Sequence, residues 1–490
     1  MPLTADQAAA ADRFALWLEQ PADGRPFVLA GFAGTGKTHL SMRLLRRVEE
    51  RGLCWTVVAP THKAVDVLRR HLALAGLQAT WYPSTLHRLL RLKLRREGDL
   101  ERCEETRQTA AALEHLGLVL IDEASMVDSP LLEIVLRCAH PFCTRLVFVG
   151  DPAQLPPVGE PSSPAFAMDR AERASLTHVV RHQGPVLRLA EGLREGTLPC
   201  RTPPVLPPLR TGQATVALLD RAEWLTAAQE ALRRSAERDD PDLARILCYT
   251  NRSLERLVPM ARRALHGETA ELQPVLPGEV LITHRAVMAP ACRAGETQEE
   301  EPNLVLGSNR EVLVLEVASE PCPLAEFGVE NSPAGTAVID SLVATVETAG
   351  SRLTLRLLPP LGSAPRGELD EALRKLAEEA RAAPKGAARP LWRRFFLVRD
   401  AFASLGPAAV LTVHRSQGST FAEVFVERDV FWPREEELRR QLAYVAVSRA
   451  SQGVWMVGGP APRAERERWQ EWLNAAPRNR NPPAGEGDAR

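Results

Sequence analysis

Short apolar runs alternate with stretches of helical period through the first third of the chain. Phe27–Ala30, Trp55–Ala59, Leu118–Ile121 and Leu146–Val149 lack the polar alternation of a half-exposed strand, so each reads as a strand covered on both faces. Between them, Leu40, Leu44, Leu45 and Val48 share one helical face opposite Arg43, Arg46, Arg47 and Glu50, and Val65, Leu68 and Leu72 mark a second helix. A leading helix within residues 1–24 carries Phe14, Leu16, Trp17 and Leu18, with Thr4 as its N-cap and Gln7 in its first turns. Strand and helix in strict alternation predict an α/β fold on a parallel sheet.

The second half repeats this grammar after an interruption. Past a helix marked by Val186, Leu187, Leu189, Ala190 and Leu193, the run Thr202-Pro-Pro-Val-Leu-Pro-Pro208 reads as a stiff connection. A helix at about 223–236 and a strand at Ile246–Thr250 open a new α/β unit. Its sheet is expected to resume only at Val410–Val413, Val424–Val426, Tyr444–Val447 and Val454–Val457. Residues 276–405 therefore read as an insert, whose alternating strands (Val312–Val317; Leu353, Leu355 and Leu357 against Arg352, Thr354 and Arg356) predict a small β-barrel. Helical stretches at 368–382 and 390–404 follow. Trp392, Phe395, Phe396 and Phe402 stand among arginines there, and their helical spacing favours packing over an aromatic-basic nucleic-acid surface. Residues 476–490, rich in Pro, Arg, Asn and Gly, read as a disordered tail.

Composition narrows the classes. A length of 490 residues allows two to four domains, and 45% hydrophobic with 25% charged residues suits a globular protein. A net charge of −1 gives no overall nucleic-acid footprint, so such a partner must be read from local patches. The eight cysteines include no C-x-x-C pair and read as thiols in a reducing compartment. No apolar run approaches a membrane span and acidic residues interrupt the N-terminus, so a cytoplasmic protein without membrane partners is expected.

Candidate chemistry gathers at strand ends. Gly31-Phe-Ala-Gly-Thr-Gly-Lys-Thr38 joins the first apolar run to the first helix and fits a P-loop, Gly-x-x-x-x-Gly-Lys-Thr. Gly31, Gly34 and Gly36 let the backbone around Thr35 curl until its amides and a helix N-terminus face phosphate oxygens. Lys37 would reach the β- and γ-phosphates and Thr38 would bind Mg²⁺. Only five lysines stand in this arginine-rich chain, and one occupies this position, where a compact ammonium suits a phosphate cradle. Asp122-Glu123 ends a strand about 85 residues later; Asp122 would complete the Mg²⁺ shell and Glu123 would act as general base toward water. After Gly150-Asp151, a proline-stiffened loop carries Gln154, placed to sense the γ-phosphate or simply to connect strand and helix. Arg88, Arg91, Lys93, Arg95 and Arg96, interleaved with leucines and followed by the turn-like Arg96-Glu-Gly-Asp99, read as a solvated amphipathic hairpin or helix.

In order, these segments resemble the superfamily 1 helicases of the branch containing RecD and Dda. Pro60-Thr-His-Lys-Ala64 is similar to motif Ia, Thr85-Leu-His87 to the DNA-contacting motif that follows, Gly150–Pro157 to motif III and Val180-Arg181 to the motif IV region. Thr412-Val-His-Arg-Ser-Gln-Gly418 resembles motif V, Tyr444-Val-Ala-Val-Ser-Arg-Ala450 resembles motif VI, and Gln7 matches the adenine-reading Q motif. The resemblance implies two RecA-like P-loop domains (1–87 with 113–200; 201–275 with 406–475) and ATP with Mg²⁺ between them. It also implies a pin hairpin at 88–112 and an SH3-like accessory insertion at 276–405. On that basis Gln7, the loop from Gly31 to Thr38 and Gly418 bind nucleotide. Arg449 and Arg181 act as arginine fingers. Pro60, Thr61, His62, Thr85, His87, Arg96, Thr412, His414 and Gln417 contact DNA.

The implied activity is ATP-driven 5′-to-3′ movement on single-stranded DNA with unwinding at single-strand/duplex junctions. Single-strand-binding, repair, recombination or replication proteins are the implied protein partners. The pin tip offers no aromatic residue. A RecD-like motor subunit needing a partner and an RNA translocase are the rival readings. A small-molecule kinase is a third, and it would need no second RecA-like domain.

Overall fold

The computed structural model describes residues 3–97, 100–180, 184–288, 304–329, 338–348 and 350–475. The first domain contains β1 (Phe27–Gly31), β2 (Trp55–Ala59), β3 (Ser84–Thr85), the hairpin of β4 (Lys93–Glu97) and β5 (Leu100–Glu104), β6 (Leu118–Ile121), β7 (Arg145–Gly150) and β8 (Glu172–Leu176). Apart from the hairpin, these form one parallel sheet in the order β3-β2-β6-β7-β1-β8. Apolar clusters lie on both faces, one around Phe14, Leu40 and Leu68, the other around Leu86, Val135 and Phe148. This double coverage is why the central strands are apolar throughout.

The second domain begins with β9 (Leu206–Thr211), β10 (Ala214–Leu219) and β11 (Ala244–Cys248). The chain then leaves for β12 (Val280–Thr283), β13 (Val287–Met288), β14 (Leu304–Leu306), β15 (Glu311–Pro323), β16 (Val338–Thr348), β17 (Ser351–Leu357) and β18 (Leu405–Pro407). It returns with β19 (Val410–Thr412), β20 (Phe421–Val426) and β21 (Ala450–Val457). The second large sheet runs β19-β11-β20-β21-β10-β9, parallel except for the edge pair β9-β10. The intervening strands build an antiparallel sheet, β17-β16-β15-β12-β18, beside a two-stranded ribbon of β13 and β14. Helices Ala364–Ala382 and Lys385–Asp400 complete the insert, and Phe396 and Phe402 are buried, so the aromatics there do pack.

Two expectations are corrected. Tyr444–Val447 is not a strand but part of the helix Glu436–Ser448. Every residue from Leu442 to Ser448 is buried, so this stretch shows no polar face from which period could be read. The proline-rich run is a connection only in its first half, because Leu206-Pro-Pro208 already belongs to β9. As an edge strand, β9 tolerates prolines that a central strand would not. β8, β10 and β16 went unpredicted, and both helices of the insert begin earlier than expected. The tail at 476–490 lies outside the described residues. Among the described residues no helix is long and apolar enough to cross a membrane.

Candidate nucleotide cleft and strand-contact surface

The P-loop leaves the carboxyl end of β1 and feeds the helix Lys37–Glu50. Gly34 and Gly36 take φ of 82° and 80°, a region that costs other residues strain. A Cβ on Gly36 would also come within 2.6 Å of the Gln7 amide nitrogen. That closeness reflects how the leading helix docks: Thr4 and Gln7 form a capping box, and Gln7 Nε2 donates to the Thr35 carbonyl at 2.9 Å. Asp6 accepts from the amides of Thr177 and His178, tying the same helix turn to the end of β8. Val180 N donates to the Gly34 carbonyl at 2.8 Å, while Arg181 itself lies outside the described residues. Lys37 Nζ donates to the carbonyls of Gly31 and Phe32 at 2.8 and 3.1 Å, and Thr38 stands in the first turn of the helix.

Asp122 and Glu123 end β6 on the same side of the sheet. Glu123 sits at φ 50°, a left-handed conformation that turns the chain sharply after the strand. Its amide donates to Asp122 Oδ1 at 2.9 Å. Burial, joined by the Glu123 charge, pushes the Asp122 carboxyl up to about 7, against opposing pulls from the Glu123 amide and Lys37. Two carboxyls held together and short of positive charge suit a hard cation. Among the described residues no cluster of three or more His, Cys, Asp or Glu could hold a metal alone. Thr38 and Asp122 are the residues here that could hold Mg²⁺. Gln154 is buried, and its Oε1 has no hydrogen-bond partner among the described residues.

The second domain closes the cleft. Ala33 and Leu155 of the first domain lie within the apolar cluster of the second, with Val186, Tyr444 and Val447. Arg449 follows the helix Glu436–Ser448 and is 4% exposed; it donates to the carbonyls of Val445 and Ser419 and to Ser448 Oγ. Burial lowers its pKa, and Glu123 and Asp151 of the first domain oppose that shift. Gly418, at φ 75°, comes so near that a Cβ would meet Glu123 Oε1 at 3.7 Å. Tyr444, which the sequence assigns no role, bridges Ala33 N and Asp151 Oδ2 through its hydroxyl. Its partners lie 411 and 293 positions away, a distance no local pattern reports.

The strand-contact candidates stand on three elements. Thr61 follows Pro60 and caps the helix His62–Ala75, and Thr85 caps the short helix Leu86–Leu89 that contains His87. Thr412 ends β19, His414 stacks obliquely near Tyr249 at 6.1 Å, and Gln417 Nε2 is buried without a partner among the described residues. Burial lowers the pKa of His62, His87 and His414, so none of them offers a full positive charge at neutral pH. His62 is half-buried, with Gly307 of the insert packed against its ring. Beside it, Glu311 pairs with Lys63 of the first domain at 2.7 Å and with Arg245 of the second at 3.4 Å, and Arg310 pairs with Asp66. Arg96 lies in β4, its side chain and the hairpin tip at 98–99 lying outside the described residues.

Two largely parallel sheets packed about a P-loop, with Tyr444 of one domain bonded to Ala33 and Asp151 of the other, define a two-domain P-loop protein. A model described as "AAA domain" matches residues 2–202, and one described as "UvrD-like helicase C-terminal domain" matches 407–457. The ATP-dependent DNA helicase dda of Enterobacteria phage T4 is 25% identical over 437 residues, covering 87% of this chain and 93% of that protein. The RecBCD enzyme subunit RecD of Mycobacterium tuberculosis (strain CDC 1551 / Oshkosh) is 28% identical over 463 residues, 89% of this chain and 67% of that one. A Pif1 helicase from Bacteroides, solved in complex with ADP-AlF3 and ssDNA, is 14% identical at a TM-score of 0.45, over 93% of this chain and 92% of that chain. These matches support the resemblance to superfamily 1 helicases of the Dda and RecD kind.

Proposed function

We propose that this protein is an ATP-dependent DNA helicase that moves 5′ to 3′ along a single strand and separates the duplex ahead of it. The observation that carries the reading is the second domain's Tyr444 bonded to Ala33 of the P-loop and to Asp151 of the first domain, with Gly418 of the second domain beside Glu123. The amides from Gly34 to Thr38 and the Lys37 ammonium hold the phosphates, and Gln7 fixes the loop from behind while reading the base. Thr38 and Asp122 would hold Mg²⁺, which when bound neutralises phosphate charge. Glu123 takes a proton from water as its oxygen attacks the γ-phosphorus and the bond to the β,γ-bridging oxygen breaks, releasing ADP and phosphate. Arg449, with Arg181 as a second finger, stabilises the equatorial oxygens, and Gln154 donates to the γ-phosphate.

Coupling to DNA follows from shared elements. Thr412–Gly418 ends within reach of Glu123, so the loop that grips the strand in the second domain also touches the base. Thr61 and Thr85 cap helix N-termini in the first domain, where backbone amides suit phosphates. Alternate opening and closing of the cleft would change the spacing of these two grips and advance the protein along the strand. In this reading the domains divide as 1–87 with 113–200 and 201–275 with 406–475, β4-β5 is the pin, and the insert is an SH3-like accessory domain. A fork assay with 5′-tailed, 3′-tailed and blunt duplexes tests the proposal. Unwinding of the 5′-tailed fork alone is expected, and equal unwinding of the 3′-tailed fork overturns the polarity.

A further inference from the structure

Tyr444 joins three pieces of the cleft through one oxygen. Its hydroxyl donates to Asp151 Oδ2 at 2.7 Å and accepts from the Ala33 amide of the P-loop at 3.0 Å. The other carboxylate oxygen of Asp151 accepts from Ala153 N at 3.0 Å, and the Asp151 carbonyl accepts from Gln154 N at 3.2 Å. The loop carrying Gln154 therefore hangs on Asp151, and Asp151 hangs on Tyr444. Tyr444 itself lies five positions before Arg449, in the helix whose end sets that guanidinium. Tyr444 is 1% exposed and Asp151 fully buried, so water does not stand in for either partner.

We propose that Tyr444 is a positioning residue: its hydroxyl locks the closed cleft, aligning Arg449 and Gln154 with the P-loop at the moment of hydrolysis. Opening the cleft strips the Asp151 carboxylate of its hydroxyl donor and leaves the Ala33 amide without an acceptor. The lock therefore favours closure through a charge-assisted hydrogen bond in a dry site. Burial first, and the Asp151 charge second, hold the phenol pKa well above its ordinary value, which keeps the proton on Tyr444 for donation. The proposal rests on the reading of this cleft as an ATP site.

The test uses the full chain with Tyr444→Phe, which removes one oxygen and leaves the ring in place, together with Asp151→Asn and the double variant. DNA-stimulated kcat for ATP hydrolysis should fall about ten- to hundred-fold in Tyr444→Phe, the range expected from losing a hydrogen bond to a buried charge. KM for ATP should stay within about threefold, because Tyr444 touches the loop and not the phosphates. The double variant should be no slower than the slower single one, since both remove the same link. An unchanged kcat in Tyr444→Phe overturns the proposal, as does a loss confined to thermal stability or multiplicative effects of the two substitutions. A wild-type protein that hydrolyses no ATP with Mg²⁺ and single-stranded DNA overturns the reading of the site itself, and the proposal with it.

Discussion

Glu311→Gln tests whether the insert holds the two motor domains together. Glu311 accepts Lys63 Nζ at 2.7 Å and faces Arg245 Nη2 at 3.4 Å, so one carboxylate from the insert ties a residue of each domain. The side chains of Lys63 and Glu311 are each 23% exposed, while that of Arg245 is 3% exposed and keeps Asp242 at 3.7 Å as a weaker partner. Breaking a fully buried ion pair costs about 3–5 kcal/mol. The partial exposure of two members and the surviving Asp242 contact bring the expected loss to about 2 kcal/mol. That corresponds to roughly a thirtyfold change in the docking equilibrium.

The sign with pH is fixed by the shift at Glu311. Burial works to raise its pKa, but Lys63 and Arg245 together hold it below the ordinary 4.5. A group depressed in the folded state contributes stability above its unfolded pKa and loses it as pH falls through the folded one. The gap between wild type and Glu311→Gln should therefore be full at pH 7 and narrow as the pH drops below 4.5. Urea unfolding of the earliest transition, with Lys63→Met and the double variant completing a cycle, measures the coupling. Additive effects of the two substitutions, or a Glu311→Gln protein within about 0.5 kcal/mol of wild type at pH 7, would refute the ionic junction.

Arg449→Ala should leave nucleotide affinity within a few-fold and collapse kcat, read from steady-state ATPase, because its guanidinium is held by second-domain groups at Val445, Ser419 and Ser448 and the phosphate-facing amides belong to the first domain. Deleting 92–104 should spare DNA-stimulated ATPase and abolish strand separation in a fork assay; surviving separation would remove the hairpin from that role. Replacing His62, His87 and His414 together by Gln should barely change the salt dependence of single-strand binding, since burial keeps all three neutral. A steep loss of slope would show that they bind as cations.

What the sequence made legible was whatever chemistry fixes locally. The P-loop needs glycine at φ near 80°, the Thr4–Gln7 capping box needs those two residues three apart, and β1, β2, β6 and β7 are apolar because both faces are covered. The helix at Tyr444 looks like a strand in sequence, since a segment buried on every side has the apolar run of a buried strand. Short or edge strands such as β8 and β9 carry weak patterns, and their pairing depends on neighbours far away in the chain. The approach of Gly307 to His62 and the Tyr444 bridge belong to tertiary structure alone, joining residues separated by hundreds of positions. Candidate residues could thus be named one by one, whereas the order in which the domains touch them could not.

The central claim is a cleft that hydrolyses ATP under the control of a bound strand, and steady-state ATPase with Mg²⁺, with and without single-stranded DNA, measures it most directly. The wild-type protein should be strongly stimulated by DNA and weakly by matched RNA, and Lys37→Ala should abolish turnover while retaining single-strand binding. Turnover by Lys37→Ala equal to that of wild type, or a wild-type rate indifferent to DNA, would contradict it.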